Sequence, residues 1–73
     1  MRKAQYKAKN GAMQWKPSFK WIKESSEEYV GFCLACGETQ SGVEPDARQY
    51  WCESCGARKV YGAEELGLMG LYC

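Results

Sequence analysis

Two copies of a Cys-x-x-Cys-Gly unit, Cys33-Leu34-Ala35-Cys36-Gly37 and Cys52-Glu53-Ser54-Cys55-Gly56, dominate this 73-residue chain. Fifteen residues separate Cys36 from Cys52, which falls within the spacing of four-cysteine zinc sites. The spacing has a physical reason. Two residues between cysteines let the backbone make a tight knuckle with both sulfurs facing one ion at about 2.3 Å, and two knuckles complete a tetrahedron. A glycine after each second cysteine suits a chain that must turn away with positive φ while backbone N–H groups approach the thiolates. Cys33, Cys36, Cys52 and Cys55 are therefore the candidate ligands of one structural Zn2+.

A chain this short needs such a staple. Single cores below about 70–80 residues seldom supply more than about 3–5 kcal/mol, and small domains add disulfides, a metal or a partner. Two disulfides are a chemical alternative for these cysteines, and iron in the same knuckles would give a rubredoxin-like electron carrier. The connection between the knuckles is shorter than rubredoxins use, and no βαβ pattern surrounds either motif as a thioredoxin-like pair would require. The N-terminus is basic without an apolar core, unlike a secretory signal, and no apolar run approaches a membrane span. A reducing cytoplasm is the expected setting, where paired cysteines more often hold metal. Cys73, the fifth cysteine, reads as an incidental thiol.

The net charge of +1 hides a division. Residues 1–23 carry Arg2, Lys3, Lys7, Lys9, Lys16, Lys20 and Lys23 and no acid, whereas the rest has three basic residues against nine acidic ones. Such asymmetry points to a basic segment on an acidic body. Residues 1–14 show no sustained apolar face and read as a flexible basic arm, followed by a zinc-ribbon domain over residues 15–73. Phe19-Lys20-Trp21 alternates like a short strand. Tyr29-Val30-Gly31-Phe32 leads as a strand into the first knuckle and Arg48-Gln49-Tyr50-Trp51 into the second, with Arg58-Lys59-Val60-Tyr61 pairing back antiparallel. Residues 63–69 suit a short helix, with Glu64 and Glu65 near the positive end of its dipole. The expected fold is small, metal-stabilised and mainly β: a zinc ribbon with rubredoxin-like knuckles and a short C-terminal helix.

The run from Tyr29 to Met69, with both knuckles, Gly42-Val43-Glu44-Pro45-Asp46-Ala47 and Val60-Tyr61-Gly62-Ala63-Glu64, resembles small zinc-ribbon proteins encoded by tailed bacteriophages. That resemblance implies a ribbon, a viral origin and a host-cytoplasm setting, and it implies no activity. The basic segment lies outside it.

Catalysis is not expected. The chain has no histidine, the commonest general base and catalytic zinc ligand, and a shell of four thiolates leaves no open position for a substrate. Binding remains. Arg2, Lys3, Tyr6, Lys7, Lys9, Trp15, Lys16, Lys20, Trp21 and Lys23, joined by Phe19, combine positive charge with aromatic rings, as suits single-stranded nucleic acid. The same aromatics would equally serve as the core that a small domain lacks. The expected partner is nucleic acid or the transcription and replication machinery. The alternative is an adaptor or inhibitor of a host protein, such as host RNA polymerase or a defence system, steered by its opposed charges. Neither a membrane nor a small-molecule substrate is expected.

Overall fold

A computed structural model describes residues 3–8, 11–26 and 28–73. Five strands and two helices follow in order: β1 (Lys3–Lys7), β2 (Met13–Pro17), α1 (Phe19–Ser25), β3 (Val30–Cys33), β4 (Thr39–Ser41), β5 (Val60–Gly62) and α2 (Ala63–Met69). β1 and β2 form an antiparallel hairpin, and β4-β3-β5 form an antiparallel sheet of three strands. The fold is thus the expected small, mainly β one with a short C-terminal helix. Among the described residues no helix is long and apolar enough to cross a membrane.

The N-terminal segment departs from the expected flexible arm. Lys3 to Lys7 pair with Pro17 to Met13 in register, and the connection closes through Ala8 N–H to Ala12 O (2.8 Å) and Gly11 N–H to Ala8 O (2.9 Å). Gly11 has φ of 88°, the left-handed conformation a tight hairpin turn needs and glycine adopts without strain. A two-stranded ribbon is marginal alone; this one is tied to the rest by Trp15 N–H donating to Leu34 O at 2.7 Å.

The second departure is α1, where the alternation of Phe19-Lys20-Trp21 suggests a strand. Ser18 caps the helix, its Oγ accepting from Trp21 N–H at 3.1 Å, and Pro17 just before it separates helix from strand. Helical spacing brings Ile22 and Ser25 to the buried side. A serine N-cap satisfies an otherwise orphaned N–H, and here that local bond together with burial of Ile22 outweighs a three-residue alternation.

The third concerns residues 48–51. They make only an isolated bridge, Tyr50 to Val60, closed by two backbone bonds of 2.8 and 3.0 Å. Gln49 sits at φ of 50°, so the chain cannot stay extended on both sides of Tyr50. β5 instead pairs mainly with β3, Cys33 opposite Val60 and Phe32 opposite Tyr61.

Two apolar clusters hold these elements. Ile22, Phe32, Leu34 and Leu66 form one, with Trp15, Trp21, Tyr61 and Leu71 packed against it. Cys33, Val43, Cys52 and Val60 form the other, bordered by Cys36 and Ala47. Phe32 and Cys33 are consecutive on β3 and point into different clusters, as the alternation of a strand requires. That single strand therefore couples the α1–α2 core to the cysteine site.

Candidate metal centre

The two knuckles are built alike. Gly37 N–H donates to Cys33 O and Gly56 N–H to Cys52 O, both at 2.9 Å. Cys33 N–H donates to Glu38 O (2.8 Å) and Cys52 N–H to Ala57 O (2.9 Å). Gly37 and Gly56 have φ of 78° and 77°, the positive values expected after each second cysteine. In each unit the carbonyl and N–H of the first cysteine are satisfied within the turn, so the knuckle is a closed local structure.

Facing each other, the knuckles gather Cys33, Cys36, Cys52 and Cys55 with all four sulfurs within 4.8 Å of one another. Two approaches cross between knuckles: Cys33 Sγ to Cys55 Sγ and Cys36 Sγ to Cys52 Sγ, both 3.7 Å. A tetrahedron with metal–sulfur bonds of about 2.3 Å has sulfur–sulfur edges of about 3.8 Å. Two of the six edges thus match that value and the other four lie within 4.8 Å, and the cysteines are free thiols with no disulfide between them. The residues present fit a metal ion held by four thiolates, which would cross-link β3 to the segment before β5.

The environment differs from one thiol to the next. Burial pushes Cys33 up to about 12 and also raises Cys36. Burial acts to raise Cys52 too, but N–H groups of Cys55 and Ser54 and the thiols of Cys55 and Cys33 outweigh it and bring Cys52 down to about 7. Cys55 N–H stands 3.4 Å from Cys52 Sγ. Without metal the environment therefore favours ionisation of Cys52 over Cys33 and Cys36. An incoming divalent cation must displace the remaining protons, which is how metal binding becomes coupled to pH.

The knuckles also differ in what covers them. The first is enclosed: Cys33, Leu34 and Gly37 are buried, Trp15 packs over Gly37, and Lys3 Nζ donates to Gly37 O at 3.0 Å. The second is open. Cys52 is buried, but Trp51, Glu53, Ser54, Cys55 and Gly56 are exposed. Its one side-chain brace is Gln40 on β4, which donates to Trp51 O and accepts from Glu53 N–H, both at 3.0 Å. Sequence reasoning missed Gln40 and the covering role of Lys3 and Trp15. A glutamine in a three-residue edge strand carries no motif, so no sequence signal marked it.

The basic and aromatic residues are distributed around this centre. Arg2 and Lys9 lie outside the described residues. Lys3 sits 5.2 Å from the Trp15 ring centre, Lys16 5.3 Å from Tyr6 and Lys23 5.8 Å from Phe19. Lys20 is 4.0 Å from Glu24, both exposed, and Lys7 is exposed. Tyr6 hydroxyl donates to Gln14 at 2.8 Å, and burial, with a smaller effect of Tyr61, raises its pKa. Trp15 and Trp21 are half-buried against the larger apolar cluster, Trp21 meeting Phe32 at 5.8 Å between ring centres. Phe19 is exposed beside Tyr72. In the hairpin register Lys3, Lys7 and Trp15 share one face and Tyr6 and Lys16 the other, while Trp15 and Trp21 pack against the core and remain half-buried.

Comparison with protein families, with curated proteins and with solved structures gives no match for this chain. The assignment of a metal-binding module accordingly rests on the four-sulfur geometry.

Proposed function

We propose that this chain is a non-catalytic binding module whose four thiolates hold one structural zinc and whose basic half contacts nucleic acid, or nucleic acid within the transcription or replication machinery. The observation that carries the reading is the arrangement of charge. Lys3, Lys7, Lys16, Lys20 and Lys23 stand on the hairpin and α1, and Glu24 is the one acid among the described residues up to Ser26. Lysines held over aromatic rings keep their charge while losing some freedom, which favours phosphate contact with less ordering cost. A closed four-thiolate shell and a sequence without histidine support a stabilising rather than a catalytic metal. The resemblance to phage proteins supports an infected bacterial cytoplasm as the setting.

Metal-loaded protein titrated with single- and double-stranded DNA and RNA tests this reading. If four lysines neutralise phosphates, affinity for a single strand should fall about 50-fold between 50 and 200 mM salt. Replacing Lys7, Lys16 and Lys20 by glutamine should flatten that dependence. No binding at low salt would end the proposal. Elemental analysis should find about one zinc per chain in a colourless protein, whereas red protein would favour iron and the electron-carrier alternative.

A second reading has its own observation. Phe19, Leu68, Met69 and Tyr72, from α1, α2 and the C-terminal residues, are exposed large apolar side chains, and such surfaces mark protein docking where they are contiguous. An adaptor or inhibitor of a host protein, including RNA polymerase or a defence component, would use them. Capture of one dominant partner, lost in a Phe19→Ala, Leu68→Ser variant, would favour this second reading.

A further inference from the structure

A groove of about 820 Å³ separates β1 from α1, within the size range of small-ligand sites. Ala4 and Lys3 line its β1 side, and Phe19, Lys20, Trp21 and Glu24 its α1 side. Trp21 is the central element. Its ring packs against Phe32 and is only half-buried, and its uncovered part lines the groove. An aromatic ring fixed by the core presents a stacking surface whose position costs little to order.

Two amines, Lys3 and Lys20, and one carboxylate, Glu24, border the groove. The Lys3 amine is held in place by the Gly37 carbonyl at 3.0 Å. Lys20 is paired only loosely with Glu24, at 4.0 Å and with both side chains largely exposed; such a pair is weak and a phosphate can compete for the lysine. The groove thus combines apolar and aromatic lining with two amines and a loosely paired carboxylate at its edge; with Lys20 released from Glu24, ring and amines complement the two parts of a nucleotide, a flat base and an anionic backbone.

We propose that this groove receives one base of a single-stranded nucleic acid, stacked on Trp21, with the adjoining phosphates at Lys20 and Lys3. The inference rests on the nucleic-acid reading of the basic half and assigns its base-contacting site. A duplex cannot offer an unstacked base to it, so single strands are preferred over duplexes of equal length.

The test uses metal-loaded full chain, a twelve-nucleotide oligo(dT) and an abasic strand of the same length and charge. The oligo(dT) should bind about tenfold more tightly than the abasic strand, as expected for one stacked base. Trp21→Leu should bring oligo(dT) down to the abasic level while leaving abasic binding unchanged. Trp21 also contributes to the core, so Ala4→Trp, which fills the groove from the β1 side, provides the same readout without touching Phe32. Equal binding of both strands by the unaltered protein, or undiminished preference in a folded Ala4→Trp variant, overturns the groove while the electrostatic reading stands. Absence of binding to either strand at low salt overturns both.

Discussion

The two cysteine knuckles share a backbone plan and differ in everything around it. Their turns make the same hydrogen bonds within 0.1 Å, at 2.9 and 2.9 Å for the glycine N–H and 2.8 and 2.9 Å for the cysteine N–H. Yet the first is buried under Trp15 and Lys3 and the second stands in solvent, braced by Gln40. Local sequence thus builds the turn, and distant sequence decides how much it costs to disturb it. The first knuckle is part of the core. The second, apart from Cys52, lies at the surface.

Removing the ion should have the largest effect, because both knuckles depend on it and structural zinc contributes on the order of 10–16 kcal/mol in small peptides. Chelation should unfold residues 29–61, seen as loss of amide dispersion and exchange protection; a chain that keeps its dispersed spectrum without metal would remove the shared dependence. The pH responses of the two forms should differ most on the alkaline side. In the metal-free fold Cys33 is raised from 9.0 to about 12, so its contribution is complete below pH 9 and declines as pH rises toward 12, whereas Cys52, lowered from 9.0 to about 7, contributes stability above pH 9 that is lost as pH falls toward 7. The metal-loaded form requires ionised thiols, so it loses metal and stability as pH falls. Denaturation midpoints for the two forms across pH 5–11 check the signs.

Replacing single ligands should separate the knuckles. Cys33→Ser leaves a hydroxyl in a fully buried position and should abolish stable folding. Cys55→Ser, at an exposed site, should retain a folded three-thiolate site with weakened metal affinity, since water can occupy the fourth position. Competition with a chromogenic chelator measures both, and equal losses would show that the cover over the first knuckle is immaterial.

A finer comparison uses the paired glycines. Alanine at either position meets a left-handed backbone cost of about 1–2 kcal/mol. At Gly56 a Cβ would meet nothing within 4 Å, so that cost should stand alone. At Gly37 it would lie 3.0 Å from Trp15 Cγ and 3.3 Å from Lys3 Nζ, adding about 1–3 kcal/mol for displaced packing. Urea denaturation of the two metal-loaded variants gives the difference directly. The smallest effect belongs to the brace: Gln40→Ala removes two hydrogen bonds and should cost about 1–2 kcal/mol, with faster amide exchange confined to residues 51–56.

Much of the site was legible in the sequence because its geometry is local. Cys33, Cys36, Cys52 and Cys55 lie at a spacing that leaves the backbone few ways to present four sulfurs, and glycine follows each knuckle where φ is positive. β3 and α2 were legible for similar reasons, one leading directly into a knuckle and the other carrying its acids at the N-terminal turn. The hairpin and α1 were not, because each depends on a distant neighbour. Residues 3–7 lack a continuous apolar face, and their strand gains its support when Trp15 and Lys3 reach the first knuckle. Phe19-Lys20-Trp21 alternates over too few residues to choose a period, and Ile22 packing with Phe32, Leu34 and Leu66 decides for helix. Gln49, with its positive φ, ended an expected strand that composition favoured.

By itself, then, the sequence determined the ligand set, the shape of each turn and the opposition of charge between its two parts, all properties of residues close in the chain. Only the tertiary structure decided that the basic segment folds back as a hairpin, that one knuckle is covered and the other open, and that Lys3, Lys20 and Trp21 line one groove. Those outcomes depend on burial and on contacts such as Lys3 to Gly37, 34 residues apart, whose free energy exists only once the chain has closed on itself.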